Sequence, residues 1–350
     1  DGLHFGEVIW AEFAQTAGYR HRWYEGTGDK RDLNLYAKAQ YQASRKLSLY
    51  ADLQLRSIRY MLSGKDDDQR NISGNHHFLF FNPKAGIFYE LSAANSVYLS
   101  LAIANREPNR DNYTDADPGK PAPVAETLFD YEAGYQYSNK WLKAVLNIYY
   151  MYYNDQLVLT GAINDVGAAV MTNVPVSYRT GMEFSGKVRI TEKLRISGNL
   201  TISRNKIRNY AEFVDNWDNW GTQLENRLGI TSLAFSPEMT GGTEFSWSFL
   251  KGIELMLNTR YVSMQYIDNT SSADRILDPY FVSNLRLGWT IEPNFVRGLE
   301  VSLNVNNLFN HEYETNAWVY RYYAEGKYRK MDGYFPQAGI NFMAGLTIRL

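Results

Sequence analysis

Aromatic rings and guanidinium groups crowd one stretch of this chain. Residues 309 to 334 hold Trp318, Tyr320, Arg321, Tyr322, Tyr323, Tyr328, Arg329 and Lys330. Such a set suits a small ligand that is apolar in body and anionic at its edge. It equally suits a loop that packs on itself. Arg106 and Arg110 offer similar donors, with Glu107 and Asp111 beside them as competing ion-pair partners. The run Trp217-Asp218-Asn219-Trp220 presents two indoles that either stack on a ligand or anchor a long loop.

Metal and catalytic chemistry find less support. His76 and His77 are adjacent, and in a strand adjacent side chains point to opposite faces, so the pair does not chelate one metal well. They read as ordinary loop histidines. Asp66-Asp67-Asp68 and the series Asp111, Asp115, Asp117 carry oxygen ligands of the kind calcium takes. Neither has the placed Gly and final Glu of the twelve-residue calcium loop, and both read as solvated loop tips. Gly26 to Gly28 is too short to cradle a phosphate. The five histidines, at 4, 21, 76, 77 and 311, stand in no recognisable catalytic motif. No enzyme, cofactor or resident metal is expected. A net charge of -2 gives no electrostatic case for nucleic acid, and the absence of cysteine excludes a disulfide scaffold and thiolate metal sites.

The elements that must position these residues are strands. A mean hydropathy of -0.42 without a long apolar run excludes a helical membrane span, whereas strand-built membrane proteins alternate and average out as hydrophilic. Period-two alternation is the dominant pattern. Ile340, Phe342, Ala344, Leu346, Ile348 and Leu350 oppose Asn341, Met343, Gly345, Thr347 and Arg349; Leu299, Val301, Leu303 and Val305 oppose Glu300, Ser302, Asn304 and Asn306. Leu47 to Arg56, Leu194 to Ile202 and Ile253 to Arg260 behave alike. The spacing predicts about thirteen strands, near 31–42, 47–61, 76–90, 96–104, 127–138, 141–153, 176–190, 194–210, 238–250, 253–267, 280–291, 298–308 and 335–350.

Connections alternate strictly in length. The short ones are 43–46, 92–95, 139–140, 191–193, 251–252 and 292–297; the long ones fill 62–75, 105–126, 154–175, 211–237, 268–279 and 309–334. One-sided long loops and long tilted strands predict an antiparallel up-and-down transmembrane β-barrel. Tyr60, Trp141, Tyr152, Tyr153 and Trp289 fall near strand ends, where an aromatic girdle would lie. A soluble sheet protein would need a second layer over its apolar faces, and no segment is spare to form one. The first ten residues lack an initiating Met, a basic n-region and an apolar h-region, so any signal peptide has been removed or this is not the natural start.

Several motifs resemble one family. Leu303-Asn304-Val305-Asn306-Asn307-Leu308-Phe309-Asn310-His311-Glu312-Tyr313 resembles the N-L-F-N-x-x-Y end of the penultimate strand in TonB-dependent outer-membrane receptors. Tyr334 to Ile340 with the alternating tail is similar to their closing strand, although the last residue, commonly aromatic there, is Leu350 here. Asn82-Pro83-Lys84-Ala85-Gly86 resembles S-P-R-x-G, Arg106-Glu107-Pro108 resembles R-x-P, Thr127 to Tyr135 resembles the Y-E-x-G-Y strand, and Arg179 to Glu183 the G-x-E strand.

That resemblance implies a 22-stranded barrel with an N-terminal plug, of which this chain supplies about thirteen C-terminal strands and no plug. It places residues 1–30 in part of an extracellular loop and 31–350 in the barrel wall. It further implies a bacterial outer-membrane location with lipid around the wall, the plug and the remaining strands as partners, and the TonB complex acting through an N-terminal region. The implied function is active import of a ferric siderophore, or else haem or cobalamin. Contact residues for such a chelate would be Trp318, Tyr320, Tyr322, Tyr323, Arg106, Arg110, Trp217 and Trp220. A passive porin or substrate-specific channel shares the alternation and the loop parity, and differs in lacking a plug and in having fewer strands.

Overall fold

Alternating apolar residues between short polar turns dictate hydrogen-bonded hairpins, and the chain consists almost wholly of them. The computed structural model describes residues 2–7, 10, 18, 20–65, 71–114, 122–163, 168–292 and 297–349. In chain order the elements are β1 (Gly2–Glu7), β2 (Arg20–Gln42), β3 (Leu47–Lys65), β4 (Gly74–Ser92), β5 (Asn95–Arg106), α1 (Arg110–Thr114) and β6 (Glu126–Ser138). There follow β7 (Leu142–Ile163), β8 (Ala169–Arg189), β9 (Leu194–Asn216), β10 (Thr222–Ser232), β11 (Met239–Leu250) and β12 (Ile253–Val262). The chain ends with β13 (Gln265–Tyr266), β14 (Ile276–Leu277), β15 (Tyr280–Ile291), β16 (Gly298–Asn306), β17 (Glu314–Ala324), β18 (Lys327–Pro336) and β19 (Asn341–Arg349).

One antiparallel meander forms the wall. Strands β2 to β9 pair in succession. The ladder passes from β9 to β11 and on through β12, β15 and β16 to β19. These are the thirteen strands that the alternation predicts. The other strands are extensions beyond the long-loop end: β1 pairs with the first residues of β2, β10 with the last residues of β9, β17 with β18, and β13 with β14. Among the described residues no register joins β2 to β19, so the wall is an open part of a barrel.

Several boundaries differ from expectation, mostly because strand pairing continues past the apolar band. The strand expected at 31–42 begins at Arg20, and those expected at 141–153, 176–190 and 194–210 run through much of the expected loops. The loop 309–334 is itself a hairpin, and the closing strand starts at Asn341 rather than 335, because Phe335 and Pro336 pair back onto β17. The strand expected at 253–267 stops at Val262. Backbone hydrogen bonding needs no lipid-facing stripe, so alternation finds the spanning part of a strand and misses its solvated continuation.

Register turns each one-strand stripe into a surface. Leu35 stands opposite Leu55, and Leu55 opposite Phe81. Leu255, Leu287, Leu303 and Ala344 form another continuous row. Apart from the half-buried Leu255 these side chains are exposed, and elsewhere on the same face Leu79 and Phe342 keep 67% and 68% of their surface. Exposed apolar surface on this scale needs a lipid solvent. The opposite face is polar and internally bonded. Asn82 donates to Gln54 (2.8 Å), Tyr50 to Ser100 (2.9 Å), Tyr98 to Asn147 (2.9 Å) and Arg286 to Glu300 (2.9 Å).

Toward the long-loop end the polar face becomes a core. Ile58, Tyr60, Leu62 and Phe80 are buried there, and Tyr113 from α1 stacks on His76 with centroids 4.1 Å apart. Asn269, between β13 and β14, donates to the Leu159 carbonyl of β7 at 2.6 Å. Segments distant along the ladder thus meet over one face, which requires the sheet to curl.

Candidate functional site

Two long connections that the sequence treats separately are brought together. The side chains of β17 alternate, so Ala317, Val319 and Arg321 face inward, while Trp318, Tyr320 and Tyr322 share the other face. Ala317 and Val319 pack with Ile267, Leu277 and Phe235 in a buried cluster. The aromatic face meets the end of β9: Trp217 stacks on Tyr322 at 4.2 Å between centroids, and lies 6.4 Å from both Tyr320 and Trp220. Tyr322 and Tyr323 run parallel to Asp215 and Asn216 in a short ladder.

Polar bonds fix the arrangement. The Trp217 indole donates to the Tyr320 hydroxyl at 3.3 Å, and that hydroxyl donates to Asp215 Oδ2 at 2.9 Å. Burial, reinforced by the neighbouring Asp215 carboxylate, pushes the Tyr320 phenol up to about 12. Asp218 accepts from the backbone N–H groups of Glu325 and Gly326 at 2.7 and 2.8 Å, clasping the β17–β18 turn. The Trp217 N–H donates to the Tyr323 carbonyl at 2.8 Å. The rings therefore form a fixed, partly exposed shelf whose outermost member, Trp220, keeps 82% of its surface.

Of the expected contact residues, Trp217, Trp220, Tyr320 and Tyr322 form this shelf. Trp318 lies on the same strand face but nearer the sheet, over Gly333, where an added Cβ would stand 2.2 Å from the indole nitrogen. Tyr323 faces the other way and meets Tyr328 edge-on at 5.3 Å. Arg321, the cation expected among the rings, points into the cap, where it pairs with Asp332 and lies 3.8 Å from Asp274. Its exposed basic neighbours are Arg329, paired with Glu325, and Lys330.

Arg106 and Arg110 belong to a different cluster. Arg106 pairs with Glu126 at 3.0 Å rather than with Glu107 or Asp111. Glu107 instead holds Lys30 at 2.7 Å and Arg56 at 3.0 Å, and Arg56 also reaches Asp32 at 2.5 Å. Burial raises the Glu107 carboxyl, but the Lys30 hydrogen bond and the two cations outweigh it and hold the group below its ordinary range. Arg110 opens α1 and lies against Gly26, where an added Cβ would stand 3.0 Å from a guanidinium nitrogen. Tyr113 is pushed up to about 12 by burial.

His76 packs among Tyr60, Phe78 and Tyr113, while His77 lies on the opposite, exposed face, as alternation requires. Asp66, Asp67, Asp68, Asp115 and Asp117 lie outside the described residues. Among the described residues no group of three or more acidic or His side chains is arranged to hold a metal.

One set of residues was not foreseen. Arg275, between β13 and β14, is buried between Glu212 of β9 at 2.5 Å and Asp268 at 2.6 Å. Burial disfavours its charge, but Asp268 and then Glu212 outweigh that and raise it. Asp268 also meets Gly161 of β7, where a Cβ would stand 2.7 Å from the Asp268 Cβ and where φ is +84°. No periodicity marks such a triad, since its members lie in two expected connections, 211–237 and 268–279.

An open β-wall, with one face apolar to its surroundings and the other polar under a cap of long connections, defines part of a membrane β-barrel. The family model for "TonB dependent receptor-like, beta-barrel" matches residues 6–308, and the chain belongs to that family of outer-membrane β-barrels. The catecholate siderophore receptor Fiu of Escherichia coli strain K12 is 25% identical over 260 residues, covering 72% of this chain and 31% of Fiu. The crystal structure of Fiu in its closed form superposes with a TM-score of 0.67 at 18% identity, covering 94% of this chain and 46% of that one. The siderophore receptor PiuA of Acinetobacter baumannii gives 0.71 at 16% identity, covering 93% and 44%. This chain thus spans about a third of the length of the curated relatives it matches. These proteins are receptors rather than enzymes.

Proposed function

We propose that this chain is the C-terminal wall and outer cap of an outer-membrane receptor importing a scarce nutrient by TonB-coupled active transport. A ferric siderophore, of the catecholate class named for Fiu, is the first candidate; haem and cobalamin follow. The observation that carries this reading is the shelf of Trp217, Trp220, Tyr320 and Tyr322, built where two long connections converge. Rigid aromatic anchors dominate binding energy in many interfaces. Flat catechol rings stack on such faces, and Arg329 and Lys330 at the hairpin tip supply positive charge for an anionic chelate. In this reading residues 1–30 belong to an extracellular loop, a plug and further strands complete the barrel, and no cofactor or catalytic residue is needed.

The test uses cells producing the complete receptor. Trp217→Ala or Tyr322→Ala lowers capture of a ferric catecholate about tenfold or more, the scale of one aromatic hot spot. Glu192→Ala, in an exposed short turn, leaves it unchanged. Uptake stops when the proton-motive force is collapsed. Uptake that persists without energy identifies a passive channel instead, and unchanged binding in both aromatic variants moves the site to Arg106, Arg110 and their surroundings.

A further inference from the structure

The polar face is charged unevenly at its short-turn end. Leu194 and Ile196 of β9 face outward, so Arg195 and Ser197 face inward by alternation. Register then sets Lys143 directly opposite Lys187, and Arg189 directly opposite Arg195, on that same inner face. Like charges directly opposed destabilise a ladder. An anion seated between them relieves the repulsion. All four side chains are exposed, and none has an ion-pair partner among the described residues. Carboxylates of the neighbouring strands are engaged elsewhere: Glu254 accepts from Ser246 at 2.8 Å, and Glu300 holds Arg286 at 2.9 Å.

Beside these cations the wall is hollow. A depression of about 500 Å³ is lined by Lys143, Lys187, Ser185, Ser197, Asn199 and Glu244, from β7, β8, β9 and β11. Gly242 stands directly opposite Asn199 and carries no side chain into the space. The serine hydroxyls and the Asn199 amide offer neutral donors there, and the lysines charged ones. Glu244 is the only carboxylate lining the hollow among the described residues. The aromatic shelf is far away: from Arg195 to Asp215, β9 runs for roughly 65 Å at about 3.3 Å per residue.

We propose that this hollow is a second station for the imported ligand, an anionic ferric chelate, at the end of the wall from which it leaves. Lys143 and Lys187 take the anionic edge of the chelate, and the hydroxyls and Asn199 bond its oxygens. Arg189 and Arg195 extend the positive field toward the short turns. Glu244 keeps the affinity low enough for release, since a ligand in transit must both bind and leave. The inference rests on the receptor reading above and differs from it in place: the shelf captures the chelate, and the hollow passes it on.

The experiment gives a ferric tris-catecholate, which carries net negative charge, to cells producing the complete receptor. Surface capture is measured in de-energised cells and uptake in energised ones. Lys187→Gln with Arg195→Gln leaves the capture affinity unchanged and lowers the maximal uptake rate about tenfold or more, the scale of one lost charge-assisted bond. Lys187→Arg with Arg195→Lys keeps uptake at the parent rate, because charge rather than shape is needed. Sensitivity to a large antibiotic that the intact outer membrane excludes stays at the parent level in both double variants. Unchanged uptake in the Gln pair, an equal fall in capture, or a slow charge-preserving pair each overturns the proposal. Raised antibiotic sensitivity also overturns it, since the cations then hold a neighbouring part of the barrel in place rather than the chelate. A parent that neither captures nor imports the chelate overturns the receptor reading and this inference with it, and is recognised before any variant is compared.

Discussion

Asp218 clasps the cap beside the two indoles. Its two oxygens take the N–H groups of Glu325 and Gly326, so one side chain ties the β9 end to the hairpin turn. Asp218→Ala leaves both donors to water and costs about 1–3 kcal/mol locally, each bond being charge-assisted. Amide exchange in 314–336 accelerates while the wall strands keep their protection; unchanged exchange in the hairpin removes Asp218 from this role. At this scale the sequence was partly legible. Residue type marked Trp217, Trp220, Tyr320 and Tyr322, because aromatic density stands out along a line. It could not show that they form one shelf, since they are about a hundred positions apart and only the fold closes that gap. Nor did it reveal that Arg321 turns inward, which depends on a strand parity hidden inside an expected loop.

The connections are elements in their own right, and buried charge holds them. Arg275 joins β9 to the segment between β13 and β14 through Glu212 and Asp268. Arg275→Ala strands two buried carboxylates and destabilises the cap by about 3–5 kcal/mol, whereas loss of a merely exposed pair costs under about 1. Limited proteolysis between 211 and 279 reads the difference. Glu107 gives the α1 segment a pH dependence. Its carboxyl is held below the ordinary value of 4.5, so its contribution is complete above that pH and is lost as pH falls through the lowered folded value. Exchange protection of 107–114 falls on acidification below about 4.5 in the parent, and Glu107→Gln abolishes that step. Matching acid profiles would show that other groups govern the segment. Strand number and loop parity were readable because lipid imposes a strict period; the ion pairs were not, because cap packing imposes none.

At the scale of the molecule, the wall is an amphipathic sheet whose apolar face needs lipid. Leu346 stands opposite Val301 on that face, and Thr347 opposite Glu300 on the other. Leu346→Arg in the complete receptor costs about 2–4 kcal/mol near the bilayer midplane, while Thr347→Arg is tolerated beside Glu300. Folding titrations into liposomes measure both, and equal costs would refute the two-faced wall. The cap spans this wall differently. Tied by Asp218, Arg275 and Asn269, segments from β7, β9, the β13–β14 loop and the β17–β18 hairpin share bonds with one another. A loop exchange with a relative that carries the hairpin alone would leave Asp218, Asp215 and Trp217 facing the wrong surface. To change what the receptor recognises, an engineer must transplant these segments as a set, and natural drift in any one of them must be matched by change in the others.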